Sequence, residues 1–471
     1  MKINTTLNKI YNKKIYIIII LFIERYLLSK FYKKFSNKKN KINEKKKYLN
    51  LLKNYDETII INKNQNKKIN FGIHISSLRN GGRERITSLL LNYLSNKNVF
   101  NLYLLTKSKK SNDEYIIDKK VRRIYISNEK NLKIYLIKYK IKVFVYQDYN
   151  PKIIEMLNKI KEVKTIFYNH SCFLIWIYLN RFKSIKVLYN TYKKSKYIIS
   201  IIPFENDYLF KKWGINSIFM NNLITYDINN NKIIPSDLSS KIILMIGRGK
   251  DHLKRFNLGI VSMKYIIKEI PDSKMLIISK VDGLNSLFNL VEKLKINNNI
   301  KFVGYTNKPE IYYKNASLHI IPSISESFSM VLCESKIYGI PNILLGIDYV
   351  SAGKGGVINI YDDKPETIAK EAIEILSNYT YRKELGKNAI ESMKSFKNEL
   401  TIKKWIQLII AVYKGENYYI KLKYKNKKIS RQEAVNQLIR QLKILKMRKP
   451  EMKNLTLNHI INFIDFPVKI R

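Results

Sequence analysis

The segment that decides the fold reads Leu318-His-Ile-Ile-Pro322-Ser-Ile-Ser-Glu326-Ser-Phe-Ser-Met-Val-Leu-Cys-Glu334. Its first four residues form a short apolar run, which is typical of a buried strand, and the polar stretch that follows predicts a loop. We expect a helix to begin around Ser329. Glu326 then lies before that helix, and Glu334 lies about a turn and a half inside it.

A junction of this kind suits a phosphorylated ligand. Where a strand passes through a loop into a helix, free backbone amides and the positive end of the helix dipole meet at one point, which favours a diphosphate. One of the two glutamates can then accept hydrogen bonds from ribose hydroxyls, and the other from hydroxyls of a sugar. The alternative is an ordinary acidic helix start, in which both glutamates only complement the helix dipole.

Apolar runs and amphipathic stretches alternate from Asn70 onward, which is typical of βαβ units in a parallel sheet. Candidate strands of a first series are Phe71–Ile75, Leu102–Leu105, Ile124–Ile126, Val143–Tyr146, Thr165–Tyr168 and Tyr197–Ile201. Those of a second series are Ile242–Ile246, Met275–Ile278, Lys301–Val303, Leu318–Ile321, Ile343–Leu345 and Val357–Tyr361. The pattern predicts an α/β protein of two doubly wound, Rossmann-like domains that face a cleft, with ligands at the carboxyl ends of the strands.

The domain organisation follows from these changes of pattern. Residues 1–68 carry 18 Lys and Arg but only 4 Asp and Glu, and we interpret them as a basic extension with a short apolar segment. Residues 69–225 form the first Rossmann-like domain and residues 226–400 the second. Residues 401–471 are expected to form a C-terminal helix and a basic tail.

The charge of the chain has two interpretations. With 87 Lys and Arg against 37 Asp and Glu the net charge is +50, which favours an anionic partner such as a phosphate-rich ligand, an anionic membrane or nucleic acid. Lys, Asn, Ile and Tyr are also overused throughout, so a chain-wide compositional bias explains much of the lysine. Cys172 and Cys333 belong to no CxxC pair, the five histidines lack metal-ligand spacing, and the sequence contains no D-x-D. We therefore expect no bound metal.

Both ends of the chain have features of membrane-surface segments. The run Ile15–Ile23 is shorter than the roughly 20 apolar residues of a bilayer span, and apolar residues resume only at Tyr26–Leu28. With its lysine fringe the segment 15–28 fits an interfacial helix on an anionic leaflet; a helix packed on the protein's own surface is the alternative. A basic amphipathic helix is predicted around residues 435–445. We expect a cytoplasmic protein with peripheral contact to an anionic membrane and no nucleic-acid partner.

A second segment, Ile246-Gly247-Arg248-Gly249-Lys250-Asp251-His252-Leu253-Lys254, provides cations for a phosphate. A strand ends at a glycine there, and two basic residues six positions apart follow in the loop. At the carboxyl end of a sheet, Arg248 and Lys254 are well placed to neutralise a leaving diphosphate. A solvated charged loop is the alternative, and it applies more to the lysine, because arginine is much the rarer of the two in this chain.

Together these motifs resemble glycosyltransferase family 4, whose members are retaining enzymes with the two-domain GT-B fold. The resemblance covers about residues 70–400 and is strongest over 242–345. The family pattern is E-x7-E with Phe two positions after the first Glu, and it falls on Glu326, Phe328 and Glu334. The resemblance implies that Glu334 holds the donor ribose and that Glu326 contacts the transferred sugar. The backbone of Ser327, Phe328, Ser329 and Met330 would hold the phosphates.

The resemblance also assigns the remaining site residues. The family's Gly-Arg and Lys fall on Gly247, Arg248 and Lys254, which implies stabilisation of the diphosphate. Its first-domain Gly-Gly-x-Glu falls on Gly81-Gly82-Arg83-Glu84, and its active-site histidine falls on His170. Three positions depart from the family pattern: Lys254-Arg255 replaces the usual Lys-Gly, Asn221-Asn222 replaces Asn-Gly, and Gly355-Gly356 precede a strand.

The implied function is that of a retaining, metal-independent hexosyltransferase. It would move a sugar from a UDP- or GDP-sugar, with no further cofactor, to a glycan, lipid or protein acceptor bound by the first domain. Two alternatives stay open. One is a non-catalytic basic protein that binds membranes or nucleic acid on a glycosyltransferase-like scaffold, and the other is another GT-B enzyme such as a sugar-nucleotide epimerase.

Overall fold

A computed structural model describes residues 68–416, except for positions 80, 173–174, 177–181, 204, 207–212, 227–232, 249–252, 307 and 348. The predicted interfacial segment 15–28, the basic extension before residue 68 and the amphipathic helix at 435–445 lie outside the described residues. The middle of the cationic loop, residues 249–252, lies outside them as well. Within the described part of the chain, no helix is long and apolar enough to cross a bilayer.

The first domain is built on a sheet of seven parallel strands. They are β1 (Ile69–Ile75), β2 (Phe100–Thr106), β3 (Arg122–Tyr125), β4 (Val143–Tyr146), β5 (Lys164–Asn169), β6 (Tyr197–Ser200) and β7 (Ile218–Phe219). The helices beside them are α1 (Gly82–Ser95), α2 (Glu129–Lys138), α3 (Pro151–Asn158) and α4 (Phe182–Lys194). The strand order is β3-β2-β1-β4-β5-β6-β7.

The second domain repeats this plan with six parallel strands. They are β8 (Ile242–Ile246), β9 (Lys274–Ile278), β10 (Ile300–Phe302), β11 (Leu318–Ile321), β12 (Asn342–Leu345) and β13 (Val357–Ile360), in the order β10-β9-β8-β11-β12-β13. Its helices are α5 (Phe256–Glu269), α6 (Asn285–Leu294), α7 (Glu310–Tyr313), α8 (Met330–Ile337), α9 (Pro365–Ser377) and α10 (Tyr379–Met393). Short 3-10 turns cover Asn297–Asn299 and Lys394–Phe396.

Both sheets reverse their winding direction at one point. In the first sheet the reversal lies between β1 and β4, and in the second between β8 and β11. The strands at these points are covered on both faces, because every residue of Val143–Tyr146 and of Leu318–Ile321 is buried. In open α/β sheets ligands bind outside the carboxyl ends of the strands at such a switch point. The prediction of two doubly wound α/β domains is confirmed.

The last described helix, α11 (Asn398–Lys414), returns to the first domain. Its Trp405 is buried and meets Tyr168 edge-on at 5.2 Å between ring centroids. At its start, Asn398 accepts a hydrogen bond from the Ile224 amide at 2.8 Å and donates one to the Ile224 carbonyl at 2.9 Å. The helix therefore packs against both the first sheet and the connection between the two domains.

Candidate active site

The two motif segments of the second domain end at the same edge of its sheet. Gly247 and Arg248 directly follow β8, and Pro322 directly follows β11, which is the neighbouring parallel strand. The side chain of Arg248 is exposed at this edge. The topology thus gathers the predicted cations and the E-x7-E segment at the switch point of the second sheet.

Lys254 and Glu326 form an ion pair at that edge. The Lys254 ammonium lies 2.5 Å from Glu326 Oε1, and their side chains are 19% and 11% exposed. The hydroxyl of Ser323 donates to the same carboxylate oxygen at 2.8 Å. A side-chain carbon at Gly247 would lie 3.7 Å from Lys254 Cδ, so the lysine stem passes over this glycine. The lysine side chain therefore extends from Gly247 to Glu326, beside the loop that is predicted to bind phosphates.

Arg255 occupies the position where the family has glycine, yet it keeps a glycine-like backbone. Its φ of +48° lies in the left-handed region, which a non-glycine residue enters at a cost of roughly 1–2 kcal/mol. The side chain compensates through two contacts: its Nε donates to the Pro322 carbonyl at 2.8 Å and its Nη1 lies 2.5 Å from Asp363. This replacement thus ties the cationic loop to the E-x7-E segment.

The loop before α8 presents backbone amides rather than side chains. Ser329 caps the helix with a φ of +61°, and its buried hydroxyl has no hydrogen-bond partner among the described residues. The ring of Phe328 is buried against Phe396, with 6.0 Å between centroids. The first amides of a helix have no acceptor within the helix, so Met330 and its neighbours can donate to an anion. Strain at the cap is typical of a functional loop.

Glu334 is buried at the boundary between the domains. Its two oxygens accept hydrogen bonds from the hydroxyls of Thr225 at 2.6 Å and of Tyr313 at 3.0 Å. Burial, followed by the Glu334 charge, raises the pKa of Tyr313 well above its usual value, so this hydroxyl remains a donor. Arg85 Nη1, from the first domain, lies 4.0 Å from the same carboxylate. Burial lowers the pKa of Arg85, but the charge of Glu334 and smaller contributions from three nearby tyrosines together outweigh burial, so the pKa is raised.

Gly82, the second glycine of the first-domain pair, lies close to the start of α8. A side-chain carbon at Gly82 would lie 3.9 Å from Met330 Cγ, so the start of α1 meets the start of α8. Gly81 precedes α1, and a side-chain carbon there would overlap the Glu84 carboxylate at 1.9 Å. The amide of Cys172 donates to Ser327 Oγ at 3.0 Å, which adds a second contact across the cleft.

His170 follows β5 and stacks obliquely on Tyr168, with 3.9 Å between ring centroids. Burial, and to a lesser degree the charge of Arg83, lowers its pKa well below the usual value. The imidazole is therefore neutral near pH 7, and its Nε2 has no hydrogen-bond partner among the described residues. A neutral imidazole of this kind can donate to or accept from a sugar hydroxyl, depending on its tautomer.

The sequence did not predict three residues that contact Glu334. Arg85 stands one position beyond the Gly-Gly-Arg-Glu motif, and its rarity in a lysine-rich chain was the only signal for it. Thr225 and Tyr313 carry no motif and are 109 and 21 positions from the glutamate. Among the residues that the structure describes, no group of three or more His, Cys, Asp or Glu side chains is placed to hold a metal ion.

Comparison with known proteins finds a family match in the second domain. Residues 227–392 match the family model of "Glycosyl transferases group 1". The matched residues lie in the second domain. An uncharacterized glycosyltransferase of Methanocaldococcus jannaschii is 24% identical over 322 residues, which cover 56% of this chain and 77% of that protein. The chain spans only 27–47% of the length of four other curated relatives that it matches.

Solved structures share the fold of both domains. The sucrose-phosphate synthase of Thermosynechococcus elongatus superposes with a TM-score of 0.63 at 15% identity, covering 74% of this chain and 100% of that one. A protein from Anabaena, crystallised with UDP and glucose, superposes with a TM-score of 0.58 at 13% identity over 72% of this chain and 99% of that one. These likenesses show the GT-B fold.

Proposed function

We propose that this chain is a retaining glycosyltransferase that moves a hexose from a nucleotide diphosphate sugar to an acceptor bound by the first domain. The observation that carries the proposal is the ion pair of Lys254 and Glu326 at the carboxyl edge of the second sheet, in the segment that continues into the start of α8 and Glu334. Cations and amides suit a diphosphate, and carboxylates suit the hydroxyls on either side of it. The match of residues 227–392 to the group 1 family supports the same chemistry.

The donor would bind in an order given by these groups. Glu334 accepts hydrogen bonds from the ribose hydroxyls, and the amides from Ser327 to Met330 donate to the two phosphates. Glu326 accepts a hydrogen bond from the sugar that is transferred. Because Glu326 now pairs with Lys254 at 2.5 Å, the arriving diphosphate would compete for the ammonium and release the carboxylate toward the sugar.

Catalysis would rest on charge stabilisation at the leaving group. The bond between the anomeric carbon and the diphosphate breaks, and negative charge grows on the phosphate oxygens. Arg248, Lys254 and the helix amides would take up this charge, and fixed donors of this kind are usually the largest catalytic term. His170, whose lowered pKa keeps it neutral, would orient the sugar through a hydroxyl.

The donor remains a UDP- or GDP-sugar, and UDP is the first to test, because the Anabaena neighbour was crystallised with UDP and glucose. The decisive experiment incubates the purified full chain with UDP-glucose, UDP-galactose, UDP-N-acetylglucosamine and GDP-mannose, with and without simple sugar acceptors. Release of free nucleotide with an α-configured product, as seen by NMR, supports the proposal. An epimerised nucleotide sugar without nucleotide release would instead show the epimerase alternative. Absence of both nucleotide release and nucleotide binding would refute transferase activity.

A further inference from the structure

A second polar cluster lies at the switch point of the first sheet. His74 is the penultimate residue of β1, Asp148 follows β4, and Arg83 stands in the first turn of α1. Arg83 Nη1 donates to Asp148 Oδ1 at 2.8 Å, and Asp148 Oδ2 lies 3.4 Å from His74 Nδ1. The two charged side chains are 28% and 25% exposed, whereas the histidine beneath them is 1% exposed. The cluster therefore has a buried floor and an accessible rim.

Hydrogen-bonding capacity is left over in this cluster. Among the described residues, neither nitrogen of His74 has a hydrogen-bond partner, nor has Asp148 Oδ2. His170 Nε2, just after β5, also has no hydrogen-bond partner within the described part of the chain. Buried polar atoms are nearly always paired in folded proteins, so several unpaired atoms at one sheet edge indicate a place for a polar ligand. The switch-point rule for parallel sheets indicates the same place independently.

The charges of the cluster select the chemistry of that ligand. Arg83 and Asp148 neutralise each other, and burial lowers the pKa of His74 to about 4 although the carboxylate opposes this shift, so the imidazole is neutral near pH 7. Glu84, 3.5 Å from Arg83 Nε, adds a negative charge, and Lys107, whose positive charge contributes to the lowered pKa of His74, offsets it. A phosphate or carboxylate would meet no excess of positive charge here. Neutral hydroxyls fit, because adjacent hydroxyls can donate to an aspartate and accept from an arginine.

The cluster also lies beside the proposed donor site. Arg83 is the neighbour of Gly82, which faces Met330 at the start of α8. Its charge is near enough to His170 to contribute to the lowered pKa of that histidine. A hydroxyl held by Arg83 and Asp148 would thus lie at the boundary between the acceptor-binding domain and the transferred sugar.

We propose that Arg83 and Asp148 form an acceptor subsite that binds adjacent hydroxyls of a neutral sugar or polyol, with His74, whose Nδ1 lies 3.4 Å from Asp148 Oδ2, as a positioning residue beneath the carboxylate. The inference rests on the proposed transferase function and names the class of its acceptor. Gln147 supports the floor, since its amide donates to the His74 carbonyl at 3.1 Å and to the Thr87 hydroxyl at 3.1 Å.

The test separates acceptor use from donor use. With the nucleotide sugar that the wild-type chain hydrolyses fastest, nucleotide release is measured in the presence and absence of glycerol and of methyl α-D-glucopyranoside. We expect these neutral polyols to accelerate release by the wild-type chain. In Asp148→Asn and Arg83→Lys the acceptor kcat/KM should fall by roughly 10- to 100-fold, the value of one charge-assisted hydrogen bond. Hydrolysis without acceptor and affinity for UDP should stay within twofold.

Two further variants control for structural effects. Glu155→Gln removes an ion pair with Lys194 on the surface of the same domain, 2.5 Å long, and should change neither rate. His74→Gln should raise the KM for methyl α-D-glucopyranoside more than it lowers kcat, whereas a purely structural role would lower hydrolysis as well.

The outcomes distinguish this inference from the proposed function. If the wild-type chain neither binds UDP or GDP nor hydrolyses any donor, the proposed function fails and the acceptor subsite fails with it. If donor hydrolysis is intact but glycerol and methyl α-D-glucopyranoside do not accelerate nucleotide release, the subsite alone is refuted. It is refuted equally if they accelerate Asp148→Asn and Arg83→Lys as they accelerate the wild type. A fall in hydrolysis that matches the fall in transfer would likewise overturn it.

Discussion

Replacing Glu334 by glutamine tests the proposed ribose contact most directly. A carboxylate offers about four acceptor positions, of which the hydroxyls of Thr225 and Tyr313 use two, so two remain for ribose hydroxyls. Glutamine keeps one acceptor oxygen, but it turns an amide donor toward the second hydroxyl. The change should cost about 2–3 kcal/mol of nucleotide binding, the value of one hydrogen bond to a charged group. The Kd of UDP, or of GDP if that nucleotide binds, should rise roughly 30- to 150-fold.

The fold should tolerate this change. The Thr225 and Tyr313 hydroxyls can rotate to face the amide, and Arg85, 26% exposed and 4.0 Å away, can be solvated instead of paired. We therefore expect the free energy of unfolding to change by no more than about 1 kcal/mol.

The measurement is isothermal titration calorimetry with UDP and GDP, combined with urea unfolding. Asp272→Asn is the matched control, because it removes an ion pair with Lys241, 3.0 Å long, just before β8 at the opposite edge of the same sheet. The reasoning would be refuted by a stable Glu334→Gln variant whose nucleotide Kd lies within threefold of the wild type. A similar loss of affinity in Asp272→Asn would also refute it, since the effect would then not belong to the site.

Three further predictions concern catalysis, pH and backbone geometry. Arg248→Ala should abolish transfer and Lys254→Met should lower kcat about 10²–10³-fold, with an intact circular dichroism spectrum; wild-type turnover in either variant would contradict diphosphate stabilisation. Burial lowers the pKa of His319 to about 4. Below about pH 6.5 the imidazole is therefore protonated in the unfolded chain but stays neutral in the native chain, so the free energy of unfolding falls as the pH drops toward 4. Between pH 7 and 5 the wild type should lose about 2 kcal/mol more than His319→Gln in urea unfolding; equal losses would contradict a neutral buried imidazole. Gly356→Ala should destabilise by about 2–4 kcal/mol and lower the Tm by several degrees, because its φ is +66° and a side-chain carbon would lie 2.5 Å from Ala389 Cβ; an unchanged Tm would show that this contact relaxes freely.

Much of the fold could be predicted because its signals are local. All twelve candidate strands occur in the two sheets, since most of them are buried and a buried strand is a short apolar run between turn residues. The strand that was missed, β7, has two residues and leaves no such run. The predicted site residues of the second domain lie at one sheet edge for a related reason: they directly follow neighbouring strands, and parallel strands all end on the same side.

The roles of the site residues stay predictions; the structure shows contacts between some of them, such as Lys254 and Glu326. The pairing of Lys254 with Glu326 could not be read from the sequence, because 72 positions separate them. The same holds for the left-handed backbone of Arg255, which depends on contacts with Pro322 and Asp363. Such contacts are decided by how loops pack, and loop packing has no periodic signature in the sequence.

The sequence by itself determined the alternation of strands and helices, because apolar spacing and turn residues act over a few positions. That alternation also determined at which edge of each sheet ligands are expected to bind. Only the tertiary structure decided which groups share that edge. Arg85 meets Glu334 because α1 and α8 begin on opposite sides of the same cleft, and Asp148 meets His74 because β1 and β4 are neighbours at the switch point. Both pairs join parts of the chain that are distant in sequence, so their formation depends on the packing of whole domains and strands.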